Sequence, residues 1–283
     1  MKIKFNILFI VTLILFTARS LYSQHPDYSH LFNELVNRHQ QIINLHTFFQ
    51  KLYPVAIVDN GYFFIFDYDS TQQAYSLIKK TELPFDMPRN IAASFPLSEY
   101  NARAACIIGS GIIEKDDIVI TIFHEFMHCA QMENDEQKLK STLNIYKRAA
   151  AKNNYMWEIT HNFPYSDTLF ITYYSSFLNG LKENDSLKIL NARKKLRAHL
   201  SQENYEYMCW QEWKEGFARY IENVLRKIFS LSTNDTGKDL PFDRITFYYG
   251  GDRFMRYIEQ HKPDILNHPN DLFTTIFYLD LPE

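Results

Sequence analysis

His124-Glu125-Phe126-Met127-His128 places two histidines four residues apart in this chain of 283 residues. Side chains at that spacing lie on one face of an α-helix, so both imidazoles can bind a single Zn²⁺. Glu125 lies beside them, where its carboxylate can contact a water molecule on the ion. The pentapeptide therefore predicts a helix that carries two zinc ligands, His124 and His128, and a general base, Glu125.

The residues around the pentapeptide predict a helix that is buried on almost every side. Asp116 or Asp117 can cap its start, and the pattern continues to about Gln131. Its polar residues form one stripe: Asp117, Thr121, His124, Glu125, His128 and Gln131. Apolar residues cover the rest of the surface: Ile118, Val119, Ile120, Ile122, Phe123, Phe126 and Met127. Burying two histidines and a carboxylate without partners is costly, so a metal ion and its water are the expected partners.

The N-terminal residues have the pattern of a secretory signal peptide. Lys2 and Lys4 precede a mainly apolar run over residues 5–16, and small residues surround the expected cleavage after Ser23. We therefore expect a secreted protein, periplasmic or extracellular, with one domain over residues 24–283. The apolar run is short for a membrane span of about 20 residues, so no stable span is expected after cleavage.

Composition limits the partners and the cross-links that this chain can have. The formal net charge is −3 and no long basic run occurs, which argues against a nucleic-acid partner. The hydrophobic fraction of 46% is typical of a globular protein with a large core. Three cysteines, Cys106, Cys129 and Cys209, allow at most one disulfide, and Cys129 is expected to pack within its helix.

The sequence before the motif helix predicts a small β-sheet. Residues 54–58 and 62–68 flank Asn60-Gly61, the pattern of a β-hairpin. Further strands are predicted over residues 91–95 and 104–108. Small side chains in the last of these would leave its backbone open to an extended peptide, and an ordinary sheet edge explains them equally well.

Helical patterns dominate after the motif helix, so the fold class is predicted as α+β. Residues 24–132 would form the sheet and the motif helix, and residues 133–283 a mainly helical subdomain. Helices are expected over residues 135–151, 168–181 and 185–199.

A third zinc ligand is expected from a later helix, predicted over residues 207–227. A catalytic zinc usually has three protein ligands and one position for water. The helix offers three carboxylates, Glu212, Glu215 and Glu222. Gly216 and Ala218 are small residues near Glu215, and they permit close approach to another helix.

Residues 213–220, Trp-Lys-Glu-Gly-Phe-Ala-Arg-Tyr, resemble the E-G-x-A-x-Y helix of gluzincin metallopeptidases. The resemblance implies that Glu215 is the third zinc ligand, with Glu212 as the competing candidate. It also implies a zincin-like fold, with a mixed sheet packed over the motif helix and a helical second half. Arg219 stands where thermolysin-like members have an aspartate that orients a zinc-binding histidine, so the partner of that histidine is left open.

Residues 248–257 resemble a second gluzincin segment, the Y-x-x-G-x-x-F start of the helix after the ligand helix. By that resemblance Tyr248 donates a hydrogen bond to the oxyanion of the reaction. A role as a core tyrosine accounts for the same residue equally well.

These features predict a secreted zinc metallopeptidase that cleaves a peptide or protein substrate with Glu125 as general base. One alternative is zinc-dependent hydrolysis of a non-peptide amide or ester. Another is a catalytically silent binding module with the same fold. The presence of Glu125 argues against the silent module, because a site without turnover does not require a base.

Overall fold

The computed structural model describes residues 27–134 and 136–279, so the expected signal peptide over residues 1–23 lies outside the described residues. Within these ranges the chain has an α+β fold. A five-stranded mixed sheet precedes a half that is mostly helical. No helix in the described ranges combines the length and apolar character needed to cross a membrane.

The sheet has the strand order β3-β2-β1-β5-β4. Its strands are β1 (Val55–Asp59), β2 (Tyr62–Asp69), β3 (Ala74–Glu82), β4 (Ala92–Leu97) and β5 (Arg103–Gly109). β1 runs parallel to β5, and the other neighbouring pairs are antiparallel. The predicted hairpin of β1 and β2 is confirmed, as are the two later strands. At its turn Asn60 and Gly61 have φ angles of 47° and 81°, the left-handed region that these residues tolerate.

Two features of the sheet differ from the predictions. β3 was not predicted, because most of its side chains are exposed and it lacks the alternation of a half-buried strand. The open edge proposed for residues 104–108 is wrong, since β4 pairs with β5 along this segment and makes it an interior strand. Its small side chains instead face the buried interior on both sides of the sheet.

Each face of the sheet contributes to a different apolar cluster. Alternate residues of the central strands, such as Ile57 and Cys106, join the main core with the helices. Their neighbours, such as Val58 and Ile107, form a smaller cluster on the opposite face. This alternation follows from the two-residue period of side chains along a strand.

Ten helices of the described chain surround and extend this core. They are α1 (Ser29–Ile42), α2 (Ile118–Glu133), α3 (Glu136–Thr142), α4 (Asn144–Ala151), α5 (Trp157–Thr160), α6 (Thr168–Glu183), α7 (Ser186–His199), α8 (Gln202–Ile228), α9 (Ile245–His261) and α10 (Pro269–Tyr278). The helix predicted over residues 135–151 is interrupted at Leu143, whose backbone is extended. The later predictions are confirmed, with α8 longer than expected.

The long helices α8 and α9 cross at two glycines. A Cβ atom added to Gly216 would lie 2.4 Å from the Cα of Gly251, and one added to Gly251 would lie 2.5 Å from the carbonyl oxygen of Glu212. Neither position can accept a side chain without separating the helices. The close approach expected near Glu215 is therefore present at Gly216, and α9 is the partner helix.

All three cysteines are buried with free thiols. The single disulfide that their number permits is therefore not formed. Cys129 lies in the core on α2, as predicted.

Candidate metal centre

Helix α2 holds the motif histidines inside the protein. Ile122 and Met127 on the same helix are at most 1% exposed, whereas the His124 side chain retains 12% exposure. Asp117 occupies the N-cap position, but its carboxylate makes no capping hydrogen bond and pairs with Arg226 of α8. Asp117, which the sequence predicted as a helix cap, therefore forms an ion pair between α2 and α8 instead.

Glu215 of α8 meets both motif histidines. Its Oε2 lies 3.3 Å from Nε2 of His128 and 3.8 Å from Nε2 of His124. One ligand atom from each of His124, His128 and Glu215 lies within 4.8 Å of the other two. The three side chains expected as metal ligands are thus brought together, although Glu215 follows the nearer histidine, His128, by 87 positions in the chain.

Glu212, the competing candidate, lies in a separate buried network. Its Oε2 accepts a hydrogen bond of 2.8 Å from Arg193, and its Oε1 accepts one of 3.0 Å from Tyr174. The Glu212 and Arg193 side chains are both 0% exposed. A buried carboxylate held by a guanidinium in this way is fully engaged, so Glu212 links helices instead of joining the histidines.

Gln131 sets the orientation of His128. Its side-chain nitrogen donates to the carbonyl oxygens of Trp213 and Lys214, at 3.3 Å each. The amide oxygen is therefore the atom that faces Nδ1 of His128, at 2.9 Å. Since that oxygen only accepts, Nδ1 carries a proton, and Nε2 of His128 is directed towards Glu215.

Glu222 orients His124 in the same way. Its Oε2 lies 3.2 Å from Nδ1 of His124, again leaving Nε2 towards Glu215. The Glu222 carboxylate is fixed by an ion pair of 3.0 Å with Arg219 and hydrogen bonds of 2.9 Å from Arg226 and Asn234. Arg219 therefore supports the carboxylate that orients His124, and Glu222 is the partner of that histidine that the sequence left open.

The sequence placed Glu222 among the carboxylates that the ligand helix offers and Gln131 on the polar stripe, but it did not identify either as the partner of a histidine. A signal for Glu222 was present, because it follows Glu215 by seven positions and so lies two turns along the same face of α8. Gln131 follows His128 by three positions on the polar stripe of α2. Spacing alone could not show which side chains these residues face on another helix.

Mutual contact changes the protonation of this cluster. Burial lowers the pKa of His124, but hydrogen bonds with Glu215 and Glu222 outweigh it and raise that pKa to about 10. Burial raises the pKa of Glu215, yet the facing charges and hydrogen bonds of His128 and His124 hold it well below its usual value. Without a metal the centre therefore holds protons that a cation would displace.

Glu125 and Tyr248 lie beside the three converging side chains. Glu125 is 7% exposed, and within the described chain no hydrogen bond or ion pair engages its carboxylate. The buried Tyr248 of α9 neighbours Glu215, and burial followed by the Glu215 charge raises the pKa of its hydroxyl. The Gly216–Gly251 crossing brings Tyr248 to this position, one turn before Gly251 on α9.

Comparisons with known protein families, with curated proteins and with solved structures found no match to this chain. The functional inference therefore comes from the chemistry of the site.

Proposed function

We propose that this protein is a zinc-dependent hydrolase with a zincin-like fold, and that it cleaves peptide bonds. The observation that supports the proposal most directly is the convergence of two Nε2 atoms and a carboxylate, each histidine fixed through its Nδ1. We further propose that it is secreted, with residues 1–23 as the signal peptide.

The residues fit zinc rather than another common cation. Two imidazoles and one carboxylate are a ligand set that catalytic zinc uses, whereas Mg²⁺ and Ca²⁺ prefer oxygen ligands alone. The histidines each have the outer hydrogen-bond acceptor that metal-binding histidines require. His124, His128 and Glu215 would hold the ion, which when bound supplies Lewis-acid activation of a water molecule and of the substrate carbonyl.

Glu125 has the properties of the general base. It follows His124 directly in α2, its carboxylate is unengaged by other described residues, and it lies in the electrostatic field of both histidines. It accepts a proton from the attacking water and delivers that proton to the nitrogen of the scissile bond. Tyr248 donates its hydroxyl hydrogen to the oxygen that becomes negative during the attack.

Glu125→Gln tests this proposal, because it preserves side-chain shape and removes the base. We expect the zinc-loaded wild type to cut unstructured peptides in a chelator-sensitive way. Glu125→Gln should retain zinc and lose turnover by at least about a hundredfold. Glu133→Gln is the matched control on α2, since Glu133 pairs with Lys51 at the surface. Full activity in Glu125→Gln, or no cleavage of any peptide by the zinc-loaded wild type, would contradict the proposal.

A further inference from the structure

Arg244 is a charged side chain next to the candidate metal centre that lacks a close anionic partner. Among residues 27–134 and 136–279, its nearest carboxylate oxygen is Oε1 of Glu215, at 3.8 Å from Nη1. That separation exceeds hydrogen-bond length. Its side chain is 30% exposed, so part of it is open to solvent.

Neighbouring arginines have closer carboxylate partners than Arg244 has. Arg219 and Arg226 both pair with Glu222, at 3.0 Å and 2.9 Å. On α9 itself, Arg253 pairs with Asp235 at 2.8 Å and Arg256 with Asp252 at 3.0 Å. These side chains are thus held in close ion pairs within the protein, whereas Arg244 is only weakly paired, with Glu215 at 3.8 Å.

The surroundings of Arg244 direct it towards the reaction site. Its guanidinium lies 5.2 Å from the ring centre of Tyr248. It faces Oε1 of Glu215, whereas Oε2 of the same carboxylate meets the histidines. Tyr165 and Tyr207 are near enough to interact with it electrostatically. The contact with the Tyr248 ring restricts the planar guanidinium, which lowers the entropy lost when it binds an anion.

We propose that Arg244 binds a carboxylate of the substrate and so makes the enzyme selective for peptides that carry one close to the scissile bond. This inference rests on the proposed peptidase function. Guanidinium binds carboxylate through two parallel hydrogen bonds, which adds geometric selectivity to charge. The carboxylate is either the C-terminus of the peptide or the side chain of a glutamate or aspartate.

Matched peptide pairs test the proposal and separate these two sources. One pair differs only in a free C-terminal carboxylate or a carboxamide, and the other in glutamate or glutamine near the cleaved bond. We expect the wild type to cleave one carboxylate-bearing member with kcat/KM about 10- to 100-fold higher than its neutral partner. Arg244→Met should remove the difference, mainly through a higher KM for the charged member, and should leave the neutral member and the zinc content unchanged.

Arg253→Met is the matched control on α9 and should retain the preference. Equal cleavage of both members of each pair by the wild type would overturn the role of Arg244 and leave the peptidase function intact. So would equal loss for charged and neutral members in Arg244→Met, or loss of zinc from that variant, because Arg244 would then act on the oxyanion or on Glu215. A zinc-loaded wild type that cuts no peptide would contradict the proposed function and the Arg244 assignment together.

Discussion

Removal of Glu222 is expected to weaken metal binding although Glu222 is not a proposed ligand. Its carboxylate lies 3.2 Å from Nδ1 of His124 and is 8% exposed, so the contact is shielded from water. Loss of such an outer partner typically lowers metal affinity about 10- to 100-fold. Glu222→Ala should lower zinc affinity by a factor in this range. Glu222→Gln keeps a neutral acceptor. Since charge-assisted hydrogen bonds are about twice as strong as neutral ones, this variant should lower zinc affinity only about 3- to 10-fold.

Competition with a chromophoric zinc chelator measures these affinities. Glu222 also pairs with Arg219 and Arg226, so its removal destabilises the fold as well. Thermal unfolding of the metal-free variants separates this effect from the change in zinc affinity. Glu203→Gln is a matched control on the same helix, because Glu203 pairs with Arg148 at the surface. Unchanged zinc affinity in Glu222→Ala would refute the assignment of Glu222 as the residue that orients His124.

Three further results are expected. Gly216→Ala places a Cβ 2.4 Å from the Gly251 backbone, so it should destabilise the protein by about 1–3 kcal/mol in denaturant unfolding, and an unchanged midpoint would contradict the close helix crossing. Glu212→Ala leaves Arg193 buried without its partner and should cost about 3–5 kcal/mol, an effect that the double replacement of both residues by apolar side chains should largely remove. Zinc affinity should rise with pH between about 6 and 9, because His124, with its pKa near 10, must lose a proton on binding, and calorimetry should detect proton release.

The local parts of the site could be predicted from the sequence because they depend on helical period alone. His124 and His128 share a face of any helix that contains them, and the glycine beside Glu215 marks a close helix contact. The hairpin around Asn60 was predictable for a similar reason, since its turn chemistry is local.

Contacts between distant elements could not be predicted in this way. The pairing of Glu222 with His124 depends on the rotation of α8 against α2, which spacing within either helix does not determine. Glu212 and Glu215 are both carboxylates on α8, and only the position of Arg193 on α7 shows that Glu212 is already engaged. β3 was missed because its exposed, polar side chains carry no burial pattern.

Zinc stoichiometry is the most direct test of the candidate centre. We predict one tightly bound zinc per chain for the wild type and for the Glu203→Gln control after passage over a weak chelating resin. Glu215→Ala should lose that zinc, because it removes the carboxylate that meets both Nε2 atoms. A wild type that binds no zinc, or a folded Glu215→Ala variant that retains it with unchanged affinity, would contradict the account.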